Sequence, residues 1–359
     1  MNIRNEVTLT VRRATVVART AYAGLSLTAP STVVVVKSEC TLCEEADSVP
    51  QWTADIDIDP ALAARLIASQ FPELARSTVQ RLGFGWDNVA FLIDNRIVFR
   101  FPRRKIAAKL IEREIAVLPH VAKYLPLAIS APQFIGTKTA EYPWVFAGYE
   151  LIVGSTLCSI ALSDSSRGDL AEPIAAFLKA LHDVEPAQLI GRGLPPDEIG
   201  RLDHEKRLRM TRERVLDLTL SGDLASGDLL TTWLEAHPTV ALEDEKRRLV
   251  HGDLYARHIL ISNSGQPTGV IDWGDVHLGD PALDIAIAHL ILPSNSHAAF
   301  RAAYGPIDDR TWKAARYRAI YHAILELDYG IRESDVGMQE SGRTALRLIT
   351  GATAAPPVE

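Results

Sequence analysis

Residues 249–286 read LVHGDLYARHILISNSGQPTGVIDWGDVHLGDPALDIA, and this stretch decides the fold. A short apolar run leads into Asp253, so a carboxylate follows directly where a strand ends. Residues 259–271 predict a β-hairpin, because two branched apolar runs flank an Asn-Ser-Gly turn. The second hairpin strand delivers Asp272. The pattern therefore brings Asp253, His258 and Asp272 to one edge of a small sheet.

Phosphoryl transfer is a reaction that this group of side chains could support. The reaction needs a carboxylate near the attacking hydroxyl, and oxygen ligands that hold Mg²⁺ against the nucleotide phosphates. In kinase-like sites, a D-x-x-x-x-N loop and a later Asp after a hairpin supply these groups. Asp253 and His258 have the loop spacing, and Asp272 follows the hairpin. We predict that Asp253 is the catalytic base and that His258 and Asp272 bind the metal. His251 is predicted to hold the loop.

The same stretch resembles the aminoglycoside phosphotransferase family, whose HGDxxxxN and IDWxxxxxGDPxxDxA runs it nearly reproduces. His258 stands where most of that family has Asn, and in this it is similar to the macrolide phosphotransferase branch. The resemblance implies a bilobal, protein-kinase-like α+β fold. Its N-terminal lobe would hold a five-stranded antiparallel sheet plus a helix, and its C-terminal lobe would be mainly helical. The implied co-substrate is ATP or GTP. Since Mg²⁺ favours oxygen ligands, the imidazole is a chemical departure from the pattern.

Residues 79–102 predict three strands, the first two joined by the glycine-bearing turn GFGWDN. Such a turn places backbone N–H groups over phosphates. A kinase-like site also needs a cation on the third strand, paired with a Glu on the next helix. Arg100 and Glu114 occupy those places, on a strand and on an amphipathic helix from Ile106 to Leu118. The other predicted nucleotide contacts are Gly83, Gly85 and Asn88.

Two further strands would complete the sheet, and the second of them runs to Ile152. In the resembled fold this strand leads into the linker between lobes, where the backbone binds the nucleotide base. Tyr149 is the predicted contact. The predicted organisation is a poorly ordered extension at 1–50, a nucleotide-binding lobe at 51–150, a catalytic and acceptor-binding lobe at 151–350, and a tail at 351–359.

An acceptor with cationic amino groups would need carboxylates in the C-terminal lobe. A charged helix at 201–220 and an aromatic helix at 312–329 are predicted there. The resemblance implies that the charged helix forms part of the acceptor wall, and the end of the aromatic helix could face a cationic amino sugar. The candidate substrate contacts are Asp203, Glu205, Glu326 and Asp328.

Composition limits the functional classes. The net charge of −7 argues against a nucleic-acid-binding surface, and no apolar run approaches the length of a membrane span. Three cysteines do not make a disulfide framework, so we expect a reducing cytoplasm. We also expect a monomer or weak dimer. Two of them form a CxxC at 40–43, which lacks the further ligands of a zinc site.

Three alternatives stay open at this point. The same fold could phosphorylate another small metabolite. A metal-dependent hydrolase could use His251, Asp253 and His258 as ligands, although Arg100 and Glu114 would then have no role. A regulator could bind nucleotide without turnover. Nucleotide consumption separates these alternatives.

Overall fold

The computed structural model describes residues 54–351, except for 86, 190, 226, 241, 244 and 245. The predicted extension at 1–50, the CxxC at 40–43 and nearly all of the tail lie outside the described residues. Within the described part, no helix is both long and apolar enough to cross a membrane.

The first half of the described chain builds an antiparallel sheet. Its elements are α1 (Pro60–Gln70), β1 (Val79–Phe84), β2 (Asn88–Ile93), β3 (Ile97–Pro102), α2 (Lys105–Val121), β4 (Ala128–Ile129), β5 (Phe134–Gly136) and β6 (Phe146–Glu150). Asp59 caps α1, because its carboxylate accepts from the N–H of Leu62 at 2.7 Å. The five-stranded sheet has the order β1-β2-β3-β6-β5, and every neighbouring pair is antiparallel. The predicted sheet is confirmed.

Aromatic rings fill the core beside this sheet. Phe101 and Phe146 stack with ring centroids 4.4 Å apart, and Phe91 and Phe99 are also fully buried. The prediction began the apolar face of α2 at Ile106, but this residue is 58% exposed. The last turns of α2 contribute Val117, Leu118 and Val121 to the second, larger core.

The second half is mainly helical, as predicted. Its elements are β7 (Ser155–Thr156), α3 (Asp164–Gly168), α4 (Ala171–His182), α5 (His204–Leu220), α6 (Gly227–Ala236), β8 (Arg248–Val250), β9 (Ile259–Ile261), β10 (Pro267–Val270), β11 (His277–Gly279), α7 (Ala282–Ile285), α8 (Ile287–Ile291), α9 (His297–Tyr304), α10 (Asp309–Arg332) and α11 (Val336–Thr350). The sequence pattern did not predict α11 as a separate helix.

The predicted hairpin is β9 and β10, and it sits inside a four-stranded sheet of order β4-β10-β9-β7. The short strand β4 pairs with β10 in parallel, although it precedes β5 of the other sheet in the chain. A separate pair of strands, β8 and β11, flanks the loop that carries Asp253. The loop is therefore supported by strands on both sides.

Gly252 occupies a backbone conformation that glycine favours, and a larger residue there would meet a neighbouring carbonyl. Its φ is +83°, and an added Cβ would lie 2.6 Å from the carbonyl oxygen of Asp275. We expect Gly252→Ala to lower the free energy of unfolding by about 2–5 kcal/mol, from left-handed strain plus the clash. Urea unfolding measures this loss.

Gly265 provides the matched control. It has the same φ of +83°, but no atom lies within 4 Å of the position of its added Cβ. Gly265→Ala should therefore cost only the strain of about 1–2 kcal/mol. Equal losses in the two variants would contradict a steric role for Gly252.

Candidate active site

A buried carboxylate organises the loop that carries Asp253. Asp284 is fully buried in α7 and accepts from the N–H of His251 at 2.7 Å and from the N–H of Gly252 at 2.9 Å. His182 Nε2 of α4 lies 3.1 Å from the same carboxylate. Burial opposes the charged form of Asp284, but His182 and the other donors outweigh it and hold the pKa below its usual value. Asp284 thus fixes the start of the loop that carries Asp253.

We expect Asp284→Ala to destabilise the protein by about 3–5 kcal/mol near neutral pH, because it leaves buried donors without an acceptor. Since the folded pKa is lowered, this contribution is complete above the unfolded value of about 3.9. It is lost as pH falls through the folded pKa. Urea unfolding should therefore show a smaller difference from the natural protein at about pH 3 than at neutral pH.

Asp183 is the control for that experiment. It neighbours His182 but forms a surface ion pair with Lys179. Asp183→Ala should cost less than about 1 kcal/mol. An Asp284→Ala variant whose stability loss stays constant with pH would show that the ionised carboxylate is not what stabilises the loop.

His251 and His258 frame the predicted base. The buried His251 donates from Nε2 to the carbonyl of Ile271 at 3.0 Å, and its Nδ1 accepts from the N–H of Asp253 at 3.3 Å. His258 donates from Nδ1 to the carbonyl of Asp253 at 2.8 Å. That bond turns His258 Nε2 towards Asp272, whose Oδ2 lies 3.4 Å away. The loop's main chain and both imidazoles are therefore fixed around Asp253.

Arg100 joins the two halves of the described chain. Its Nη1 donates to both carboxylate oxygens of Glu114 at 3.1 and 2.9 Å, and its Nη2 donates to Asp272 Oδ1 at 2.9 Å. The strand cation and the helix Glu predicted from sequence are thus in contact, and the carboxylate after the hairpin lies beside them. Arg100, Glu114 and Asp272 form one connected group with His258.

The charges of this group perturb each other's ionisation. Burial raises the pKa of Glu114 to about 7, although Arg100 partly offsets the effect. Burial opposes the charged form of Asp272 as well, but Arg100 and His258 outweigh it and lower the pKa of Asp272. The same carboxylates raise the pKa of Arg100 against its burial. Asp272 therefore stays anionic at any pH near neutral.

Asp272 has the geometry of a ligand. Its backbone φ is +63°, in the left-handed region that few residues other than glycine adopt, and its side chain is 51% exposed. The next residue, Trp273, is buried and donates from its indole to the carbonyl of Val270 at 3.0 Å. The anchored indole and the unusual backbone turn the carboxylate outward.

The donor set suits Mg²⁺ in part. Mg²⁺ is held in proteins by one or two carboxylates plus substrate phosphates. Asp272 offers anionic oxygen and His258 offers Nε2 beside it. Over the described ranges, no group of three or more His, Cys, Asp or Glu side chains converges to hold a metal by itself. The arrangement therefore fits a metal that the nucleotide helps to bind.

The β1–β2 hairpin presents an open face at its glycines, of which Gly83 lies in β1 and Gly85 in the turn. A Cβ added at Gly83 or Gly85 would have no atom within 4 Å. The N–H of Gly85 donates to the carbonyl of Asn88 at 2.9 Å and closes the turn. Asn88 Oδ1 is buried and has no hydrogen-bond partner among the residues described here. Tyr149 lies on β6, opposite Val98 in register, and burial raises its pKa to about 12.

The four carboxylates predicted to contact the acceptor differ in their exposure and in their partners within the protein. Asp203 caps α5 by accepting from the N–H of Lys206 at 3.0 Å, and Glu205 in the first turn is exposed. Glu326 is 2% exposed and lies 3.1 Å from His322. Asp328 contacts Arg332 at 2.7 Å and Arg214 at 3.3 Å. Three of the four thus have a partner within the protein.

The model of the family described as "Phosphotransferase enzyme family" (APH) matches residues 78–318, which is more than half of the chain. The chain belongs to the APH family. The predicted family, the kinase-like fold and the assignment as a small-molecule kinase are confirmed. The matched range begins just before β1 and ends at Arg318 within α10, so it includes Arg100, Glu114, Asp253, His258 and Asp272.

Several solved structures share this fold. A GDP complex of a point mutant of aminoglycoside 2'-phosphotransferase-IIIa is 25% identical, with a TM-score of 0.59, over 82% of this chain and 98% of that chain. A GDP and kanamycin complex of APH(2")-IIIa is 24% identical, with a TM-score of 0.59, over 80% and 98%. Macrolide 2'-phosphotransferase type I is 21% identical, with a TM-score of 0.52, over 84% and 100%.

A sequence relative is also similar over a short segment. The uncharacterized protein YcbJ of Bacillus subtilis (strain 168) is 36% identical over 64 residues. The match takes in 18% of this chain and spans only 21% of the length of YcbJ. This similarity is therefore local and covers a minor part of both chains.

The hydrolase alternative finds no support in this APH site. It required His251 as a metal ligand, but both ring nitrogens of His251 bond to the main chain. In contrast, Arg100 and Glu114 are placed as a kinase-like site needs them. The geometry and the family agree in favouring phosphoryl transfer.

Two residues of the APH site were missing from the sequence prediction. Arg318 of α10 contacts Asp253, and Asp275 forms an ion pair with Arg201. Burial and the charge of Asp253 raise the pKa of Asp275 to about 6. Asp275 could have been found from the sequence, because it is the second Asp of the segment IDWGD that also carries Asp272. Arg318 could not, since it lies in the middle of an aromatic helix far along the chain.

Proposed function

We propose that the protein transfers the γ-phosphate of ATP or GTP to a hydroxyl of a small molecule of the aminoglycoside or macrolide type. One observation carries the proposal. An unbroken series of contacts runs from Glu114 through Arg100, Asp272 and His258 to the main-chain carbonyl of Asp253, with no distance in it above 3.4 Å. The series thereby links the pair proposed to grip the nucleotide to the loop of the proposed base.

Each residue of the series takes one role. Asp253 orients the acceptor hydroxyl and accepts its proton as the bond to phosphorus forms. Asp272, with His258, would hold Mg²⁺, which when bound neutralises charge on the phosphates. Arg100 grips the α- and β-phosphates, and Glu114 keeps its guanidinium in place. The turn that holds Gly83, Gly85 and Asn88 covers the phosphates, and the backbone near Tyr149 meets the base.

Two observations bear on the acceptor. The carboxylates of Asp203 and Asp328 already have partners within the protein, so a polycationic aminoglycoside would have to compete for them. Glu205 is exposed on the first turn of α5, so an amino group could bind it without displacing a partner in the described part of the chain. A macrolide carries a single basic amine and needs fewer carboxylates. We therefore place macrolides beside aminoglycosides as acceptors, with kinases of other metabolites as the alternative.

The proposal includes the setting of the enzyme. We infer a nucleotide-binding lobe at 51–150 and a catalytic and acceptor-binding lobe at 151–350. The sparse cysteines suit a cytoplasmic protein, working as a monomer or weak dimer without nucleic-acid or membrane partners.

A transfer assay tests the proposal. The purified full chain is incubated with Mg²⁺ and γ-labelled ATP or GTP, together with kanamycin, gentamicin, erythromycin or a simple amino-alcohol. Transfer of label to an aminoglycoside or macrolide is the expected result, and mass spectrometry of the product identifies the hydroxyl. Label transfer only to an amino-alcohol would favour the metabolite alternative. Nucleotide binding without any transfer would overturn the proposal in favour of a regulator.

A further inference from the structure

Helix α10 places an arginine against the catalytic base. Arg318 Nη2 donates to Asp253 Oδ1 at 2.9 Å, and the two residues are 65 positions apart in the chain. The guanidinium is nearly buried, with a relative exposure of 6%, while the Asp253 side chain is 30% exposed. Within the described ranges, the structure shows no donor to Asp253 Oδ2. One carboxylate oxygen is therefore fixed from the protein side, and the other stays available.

Arg318 is itself held in one orientation. Its guanidinium lies over the ring of Tyr321, 4.8 Å from the centroid. The hydroxyl of Tyr321 donates to the carbonyl of Arg201 at 2.6 Å, and Arg201 forms ion pairs with Asp197 and Asp275. The ring on which Arg318 rests is thus fixed by a neighbouring loop. A fixed guanidinium can direct a carboxylate, whereas a mobile one cannot.

We propose that Arg318 is a positioning residue for phosphoryl transfer, which rests on the function proposed above. The terminal torsion of an aspartate is broad, so a carboxylate held only at its backbone samples many rotations. Arg318 binds Oδ1 and thereby presents Oδ2 to the acceptor hydroxyl. Alignment of this kind acts on the rate of the chemical step more than on binding.

A buried ion pair kept only for stability is the competing explanation. Such pairs are weak sources of stability, because desolvation of the two charges offsets their attraction. Here the carboxylate is partly exposed and belongs to the predicted base. A stability role would also leave the rate per folded molecule unchanged, and this difference makes the two explanations separable.

The test compares Arg318→Met with Arg316→Met. Arg316 lies on the same helix and over an aromatic ring at 4.9 Å, that of Trp233, but its hydrogen bond goes to the carbonyl of Ile349. Transfer is measured from labelled nucleotide to kanamycin or erythromycin, whichever the natural protein phosphorylates. Nucleotide-binding stoichiometry fixes the concentration of folded enzyme. We expect kcat to fall about 10- to 100-fold in Arg318→Met, with KM for nucleotide unchanged, and to stay near its natural value in Arg316→Met.

Two further measurements guard against a folding defect. Arg318→Lys keeps the charge but loses the fork, so it should recover part of the lost kcat. Added methylguanidinium should raise the kcat of Arg318→Ala and leave that of Arg316→Ala unchanged. A folded Arg318→Met with natural kcat would overturn the inference, as would a raised acceptor KM without a change in kcat. If the natural protein phosphorylates none of the panel, the proposed function fails, and the role of Arg318 falls with it.

Discussion

Asp253→Ala is expected to lower kcat by about 10²- to 10⁴-fold while nucleotide binding persists. The variant removes the carboxylate proposed to take the proton of the acceptor hydroxyl, but it leaves the connected group of Arg100, Glu114 and Asp272 intact. Titration with a fluorescent nucleotide reports binding, and label transfer to the acceptor reports kcat. We expect kcat to fall by orders of magnitude while the nucleotide affinity stays near its natural value.

The matched control for this variant is Asp164→Ala. Asp164 also pairs with an arginine, since its two carboxylate oxygens accept from Arg347 at 2.8 and 2.5 Å. This pair joins α3 to α11 on the surface, so its loss should leave kcat within about twofold of natural. Retained transfer in a folded Asp253→Ala variant would remove Asp253 from the role of base and require another proton acceptor.

Asp272→Asn is expected to lower kcat by about 10²- to 10³-fold. Asparagine tolerates the left-handed backbone of this position, where φ is +63°, so the change removes charge and little else. The loss takes away the anionic oxygen nearest to His258 and one of the two carboxylates on Arg100. Transfer rates measured over a series of Mg²⁺ concentrations should show a higher requirement for the metal.

Asp94→Asn controls for the backbone conformation. Asp94 also adopts a left-handed φ, of +47°, and its carboxylate accepts from the N–H of Thr78 at 2.7 Å in an exposed turn. Its substitution should leave kcat and the Mg²⁺ requirement unchanged. If Asp272→Asn behaves like Asp94→Asn, Asp272 does not hold the metal.

Local patterns in the sequence predicted most of the fold and much of the site. Short branched apolar runs and turn chemistry located the β9–β10 hairpin, and helical spacing located α2. Asp272 and Glu114 could be placed because each sits at a fixed offset from such an element. Arg100 followed from its strand in the same way. These features depend on neighbours within about 20 residues along the chain.

Other features depend on contacts between distant segments. Arg318 reaches Asp253 across 65 positions, and the buried aromatic residues around it predict only a core helix. The two-residue strand β4 is recognisable only by its partner β10. By contrast, the sequence itself indicated partners within the protein for Asp203 and Asp328. Asp203 directly precedes helix α5 as its N-cap, and Asp328 stands four residues before Arg332, with which it pairs. Their roles as acceptor contacts stay predictions.

The placement of β4 has a mechanical consequence. The chain passes between the two sheets at β4 and again between β6 and β7, and β4 and β7 are the opposite edges of the four-stranded sheet. Three strand spacings separate these edges, or about 14 Å. Two parts of a protein that are connected at two separated places rotate most easily about the line that joins the two connections. Because β9 and β10 lie between those edges, we expect such a rotation to displace the hairpin, and Asp272 at its end, the least.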